Sequence, residues 1–334
     1  MSFARSGKSG WRWLWAVAVL LLATVAARAV VIDVELNDVP VTDAMSVLAR
    51  QAERDMEVDV ALEKAGTRPD KLPWGPPSVK WDFKQVAPDQ VMESMAAAYG
   101  LHLDRSRGPN LFKLRFATAE EMKFKRPARP LPPPTKELRK IPILFFDEAP
   151  AFQVVQTLAL QSGLNLVPSY ELTLGTNKLG TAWSETLVTV KLRNLTSQQA
   201  LEAVLDAGGW AVDWSGLGRL GVIYPAERFP AAGKVEPVKP PGAEEKTDVI
   251  LSDLPLEEFI QLMAKQSGLN WVASVAVRQA VTGTDKTPLM QSSINISQKG
   301  ITPLAALEEV LKGKELQLRW NARAEVMIVD LAGK

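Results

Sequence analysis

The groups in this chain that could do chemistry are few and scattered. The single histidine, His102, lies between Leu101 and Leu103 on the polar side of an alternating stretch. A general base needs a positioned partner and an imidazole metal site needs further ligands, so a solvent-facing strand position is expected. Ser162 and Ser267 fall in helix-ending turns rather than between the glycines of a nucleophile elbow. The acidic pairs Glu120-Glu121, Glu257-Glu258 and Glu308-Glu309 are adjacent in sequence; on a helix such neighbours diverge by about 100° and do not share one substrate. With no cysteine in the chain, thiol catalysis, disulfides and zinc-thiolate sites are excluded together. The expectation is a protein that is not an enzyme and uses no cofactor or metal, since a hydrolytic site would need clustered groups.

The elements that carry these residues are organised by Gln161-Ser162-Gly163-Leu164-Asn165, which returns as Gln266-Ser267-Gly268-Leu269-Asn270. Each pentad follows an apolar run at helical spacing, so Gly163 and Gly268 are placed where a helix ends in a left-handed residue. Pro150 and Pro255 open the two runs, and a more diverged copy begins at Pro40. Ala44, Met45, Leu48 and Ala49 match Val154, Val155, Leu158 and Ala159, and then Phe259, Ile260, Met263 and Ala264, as the buried stripe of a helix.

A second unit follows each time. Val79, Trp81 and Phe83 alternate, as do Val188, Val190 and Leu192, then Ile294 and Ile296. Thr196 with Gln199 resembles a capping box, and Thr302 before Pro303 opens the third helix. The helices bury stripes beginning at Val91, Ala200 and Ala306, and each is followed by a hairpin. The fold class is therefore α+β: three tandem small domains, each of two helices packed against small mixed sheets in the order β-α-β-β-α-β-β.

Residues 1–29 carry Arg5, Lys8 and Arg12, an apolar stretch from Trp13 to Val25, and Ala27-Arg28-Ala29 as a cleavage site, which reads as a secretory signal peptide. Removing four basic residues from 39 leaves 35 against 38 acidic, a net charge of minus three, which is not the balance of a nucleic-acid binder. An exported chain without disulfides fits a bacterial periplasm. The expected domains are 30–117, 140–228 and 248–334. Between them, 118–139 and 229–247 are proline-rich and expected as semi-stiff spacers that string the domains rather than fuse them.

Taken together, each repeat resembles the short N-terminal domain shared by secretins and TonB-dependent receptors, the STN family. The match is best over Pro150 to Val167 with Val188 to Val222, and Pro255 to Val272 with Ile294 to Val329. Repeat one matches less well because Glu53-Arg54-Asp55 replaces the glycine. The resemblance implies periplasmic protein-binding modules that perform no chemistry. No secretin pore or receptor barrel follows Lys334 in this sequence, so transport by the chain itself is not expected.

Two kinds of site residue emerge. Pro40, Pro150, Pro255, Gln161, Gly163, Asn165, Gln266, Gly268 and Asn270 are the structural signature of the repeats. Trp74, Trp183, Leu289 and Met290 put large apolar groups in long connections, where binding often sits; folding back as lids is the competing reading. The expected function is a periplasmic adaptor or scaffold of a secretin-type secretion or pilus complex, associated with the outer membrane through its partners, or self-associating. The alternative is a sensor module that binds a ligand or regulatory protein.

Overall fold

The computed structural model describes residues 31–75, 78–108, 110–175, 180–214, 218–230, 245–282 and 286–333. The proposed signal segment and most of the second proline-rich stretch lie outside them. The chain is a mixed α+β structure of small antiparallel and mixed sheets with helices packed between them. No described helix is long and apolar enough to cross a membrane.

The same order of elements occurs three times. In repeat one a long strand β1 (Ile32–Pro40) runs into helix α1 (Val41–Gln51), then a short strand β2 (Asp55–Val58) and a short helix α2 (Val60–Lys64). The long strand β3 (Ser78–Val86), helix α3 (Pro88–Ala98) and the hairpin β4 (Leu101–Asp104) and β5 (Leu111–Phe116) complete it. Strands β1 and β3 form an antiparallel ribbon, while β5 sits between β2, which it pairs in parallel, and β4.

Repeat two has β6 (Ile141–Pro150), α4 (Ala151–Gln161), β7 (Asn165–Pro168), α5 (Tyr170–Leu174), β8 (Leu187–Leu195), α6 (Ser197–Ala207), β9 (Trp210–Asp213) and β10 (Leu220–Pro225). Repeat three has β11 (Thr247–Pro255), α7 (Leu256–Gln266), β12 (Asn270–Ala273) and α8 (Val275–Gln279). A two-residue strand pair, β13 (Val281–Thr282) and β14 (Thr287–Pro288), follows, then β15 (Ser293–Ile301), α9 (Pro303–Gly313), β16 (Leu316–Asn321) and β17 (Val326–Leu331). The short helices α2, α5 and α8 are additional to the two per repeat that periodicity predicts. Five residues are too few for an apolar period to stand out.

Gly163 and Gly268 end their helices at φ of +66° and +69°, and the amides of Leu164 and Leu269 donate back to Ala159 and Ala264 at 2.8 and 2.9 Å. Repeat one makes the same turn without glycine: Glu53 sits at φ +56° and Arg54 N–H donates to Ala49 at 2.8 Å. A side chain in that region costs about 1–2 kcal/mol, whereas glycine returns about half of it through unfolded-state entropy. Glu53→Gly should therefore stabilise the protein by about 0.5–1 kcal/mol, read as a higher urea midpoint at unchanged slope; an unchanged or lower midpoint would show that the turn is not strained.

The repeats are not strung apart. One apolar core joins repeat one to Val167, Tyr170, Leu220, Val222 and Tyr224 of repeat two, and a second joins repeat two to Val272, Val275, Ala324, Val326 and Ile328 of repeat three. The sheet β7-β10-β9 is thus buried on both faces, with Leu166, Val212 and Ile223 turned into its own core and the opposite face under α3. The proline-rich segment 118–139 also differs from a free spacer. Proline lacks an N–H but keeps its carbonyl, and here the carbonyls of Pro132 and Pro133 accept from Gln198 Nε2 and Arg219 Nη1 at 2.9 and 2.8 Å.

Candidate binding clefts at the repeat junctions

Each junction turns on the asparagine that closes the pentad. Lys84 N–H donates to Asn165 Oδ1 at 2.9 Å, and Asn165 Nδ2 donates to the Lys84 carbonyl at 3.2 Å. At the next junction Arg193 N–H donates to Asn270 Oδ1 at 2.7 Å, and Asn270 Nδ2 donates to the Arg193 carbonyl at 2.9 Å. One amide side chain thus reproduces a strand-like pair of bonds to the second long strand of the preceding repeat. Tyrosine hydroxyls add to the first junction, where Tyr170 and Tyr224 donate to the carbonyls of Pro73 and Ala97, both at 3.0 Å. Burial pushes the Tyr224 hydroxyl pKa up, which keeps it a donor. The second junction is more ionic: Arg319 Nη2 and Asn321 Nδ2 donate to the Asp206 carboxylate at 3.0 and 2.8 Å.

Two clefts flank these contacts. The first, of about 690 Å³, lies between the hairpin end of repeat one, the segment Met122 to Arg129, and Tyr170, Tyr224 and Arg228 of repeat two. Arg68 lines it and is buried, with Nη2 on Asp70 at 2.7 Å and the guanidinium 5.1 Å from the Tyr170 ring centre. Among the described residues its Nε and Nη1 have no hydrogen-bond partner, and burial pulls its pKa down. Gly100 makes room for it, since a Cβ there would collide with the guanidinium. The second cleft, of about 580 Å³, lies between the ribbon β6–β8 and repeat three, with Phe145, Trp271 and Trp320 among its walls.

Comparison of the chain with protein-family models, with curated proteins and with solved structures finds no match. Function must be argued from the geometry.

The four loop residues picked out by sequence are all turned inward. Trp74 is 5 % exposed, Trp183 5 %, Leu289 5 % and Met290 3 %. Trp74 Nε1 donates to the Leu62 carbonyl at 3.0 Å, with its ring edge-on to Phe116 and Tyr170, and Trp183 packs 4.5 Å from Trp210. Leu289 and Met290 form a single turn in the core of repeat three. They are lids on the cores beneath them and offer no surface to a partner in this structure. Pro40, Pro150 and Pro255 stand immediately before their helices, and Gln161 and Gln266 are the last helical residues, exposed.

The groups considered for chemistry stay apart. His102 is half-exposed with Nδ1 3.5 Å from Glu121, whose carboxyl is held at about 2 by the Arg115 guanidinium and the Thr118 amide. Ser162 Oγ donates to the Leu158 carbonyl at 2.7 Å and accepts from Ser197 Oγ at 3.0 Å, closing the helix end. Glu257 is bonded to Arg278 at 2.8 Å. Among the described residues no group of three His, Asp or Glu side chains is placed to hold a metal.

Asn165 and Asn270 were legible only as fold signature. The signal for their junction role is the aspartate at the matching position of repeat one, Asp55, which is exposed. Asn165→Asp should keep the bond from Lys84 N–H but set a carboxylate oxygen against the Lys84 carbonyl. Losing that donor is expected to cost about 2 kcal/mol or more, measured by urea denaturation of the whole chain, while Asp55→Asn should be near neutral. Equal stability of Asn165→Asp and the parent would show that the amide does not clasp the junction.

Proposed function

We propose that this chain is a non-enzymatic periplasmic adaptor or scaffold, built of three tandem STN-type domains and exported by a cleaved signal peptide. In this reading it serves a secretin-type secretion or pilus complex in the cell envelope, reaching the membrane only through its partners. The observation that carries it is the apolar core shared across each of the two junctions. Repeats packed against one another, with clefts at their joints, hold partners at fixed spacing, and pre-ordered surfaces lose less entropy on binding. The scattered placement of His102, the serines and the acidic pairs also favours binding over catalysis. The test is affinity purification of the tagged full chain from detergent-solubilised envelopes of its native host, with mass spectrometry of what copurifies. Secretion or pilus components should be enriched over an irrelevant periplasmic protein carrying the same tag; recovery of the chain alone would overturn the reading.

A sensor is the second reading, and the Arg68 cleft favours it. A buried guanidinium with two unpaired nitrogens beside a cavity is suited to an anion. On this reading a small carboxylate such as citrate should raise the melting temperature of the parent and leave Arg68→Met unaffected; equal shifts in both would exclude it.

A further inference from the structure

The strand register of repeat two gathers one set of side chains on the outer face of its ribbon. Ile143 lies opposite Arg193 and Phe145 opposite Lys191, and directly paired residues of an antiparallel ribbon point to the same side. The residues between them, Leu144 and Phe146 on β6 with Val190 and Leu192 on β8, pack into the core of repeat two. The outer face therefore carries two apolar and two cationic groups side by side. Phe145 stands 57 % exposed, and among the described residues it is the only aromatic ring left so open. A single exposed apolar residue is ordinary; what distinguishes this one is what it faces.

Phe145, Lys191 and Arg193 form one wall of the second cleft, and α7 with Trp271 and Trp320 of repeat three forms the other. Both tryptophans are half-buried. Arg278 is already engaged: it bonds Glu257 at 2.8 Å and lies over the Trp271 ring at 6.0 Å. With that pair neutralised, Lys140, Lys191, Arg193 and Lys265 line the cleft against Asp147 and Glu325. None of the four cations has an ion pair among the described residues, and Lys191 rests 5.9 Å from the Phe145 ring, at the outer limit of a cation–π contact. Aromatic walls suit an apolar group, and the surplus of cations suits carboxylates beside it. The cations stand on both walls, Lys191 and Arg193 on the ribbon and Lys265 on α7, so the carboxylates belong on both sides of the apolar group.

We propose that the second cleft is the docking site for an acidic segment of a partner protein, one that carries a large apolar side chain between carboxylates. The side chain enters between Phe145 and the tryptophan wall. The carboxylates meet Lys191 and Arg193 on one side and Lys265 on the other, with Lys140 at the start of β6. The segment lies across the face of the ribbon and takes no hydrogen bonds from the edge of β6. A cleft of about 580 Å³ has room for one such side chain with its neighbours. Burial of the apolar group supplies affinity, while the charges speed encounter and reject basic segments. A uniformly charged polymer fits less well, because it would leave the rings uncovered. The site deepens the adaptor reading and rests on it.

The test uses the full chain with two variants at exposed strand positions, Phe145→Thr and Lys191→Thr. Threonine suits a strand, and the thermal unfolding of both should match the parent. A random nine-residue peptide library displayed on phage is selected on the parent, with Phe145→Thr as counter-target. Enriched peptides should combine a large apolar residue with flanking acids. As synthetic peptides they should bind the parent about tenfold more tightly than Phe145→Thr and lose a similar factor when their own apolar residue becomes alanine. They should also bind Lys191→Thr more weakly, with the gap closing in added salt. Peptides that bind all three proteins equally, or a selection with no enrichment over the counter-target, would overturn the site. Binding indifferent to salt and to Lys191→Thr would overturn the acidic partner. Displacement of the peptide by polygalacturonate, an acidic glycan without apolar side chains, would make the occupant a carbohydrate. If the parent dimerises in ultracentrifugation and Phe145→Thr does not, the occupant is a second copy; either result ends the partner proposal. The adaptor reading is read separately: envelope components that copurify equally with the parent and Phe145→Thr would leave it standing while this site falls.

Discussion

An asparagine side chain buried between two stretches of backbone is tolerated only if both its carbonyl and its amide find partners. Asn165 meets that requirement at Lys84, and the half-buried Asn270 makes the same pair of bonds at Arg193. Because the amide is short and planar, the next repeat can approach its predecessor in one register only. The other junction features follow from this placement. The outer face of the three-stranded sheet must be aliphatic, as Val167, Val222, Val272 and Ile328 are, because it now lies against a neighbouring core. The helix beneath must present small residues for close approach, which Ser94 and Ala98 do in repeat one and Ala203 and Ala207 in repeat two.

Where no neighbour packs, the same positions change character. In repeat one the outward sheet positions paired as Asp55 with Leu111 and Glu57 with Lys113 are mostly charged. Glu57 bonds Arg107, Lys113 bonds Asp59 and Arg115 bonds Glu121, each at 2.9 Å. In repeat three the helix positions matching Ser94 and Ala98 are Glu309 and Gly313, both exposed. Repeat arrays need such polar faces at their outer units to avoid indefinite stacking. The replacement of asparagine by Asp55 works in the same sense, since a carboxylate cannot donate to the backbone carbonyl that the clasp requires. A head-to-tail chain of copies would therefore meet a mismatched clasp as well as two charged faces.

Much of the backbone plan was readable from period and punctuation. The six long helices follow apolar stripes; the prolines mark where the first helix of each repeat starts, and the pentad glycines where it stops in repeats two and three. These are local properties, set by side chains a few residues apart. What stayed hidden depends on partners distant in sequence. Trp74 and Trp183 look like exposed loop aromatics until the short helices α2 and α5 turn their connections back over the cores. The two-sided burial of β10 was foreshadowed by its unbroken run of Leu220, Val222, Ile223 and Tyr224, because a strand with one wet face alternates. The apolar letters of β6, by contrast, are the same kind of run with a different cause, since Ile143 and Phe145 remain exposed. Composition alone does not separate the two; which face of each strand a neighbouring repeat covers does.

The packed junctions bear on how the clefts would work. Had the repeats been separate beads on proline spacers, a cleft between them would exist only while two domains happened to meet, and each binding event would carry the cost of fixing their orientation. The asparagine clasp and the shared cores settle that orientation during folding. The second cleft is bounded by β6 and β8 on one side and by Trp271 on the other, and Asn270, immediately before Trp271, is the residue that ties the two sides together. The residue that sets the junction therefore also sets the width of the cleft. A change at Asn270 should therefore reach the cleft through geometry, by loosening the junction that holds its two walls.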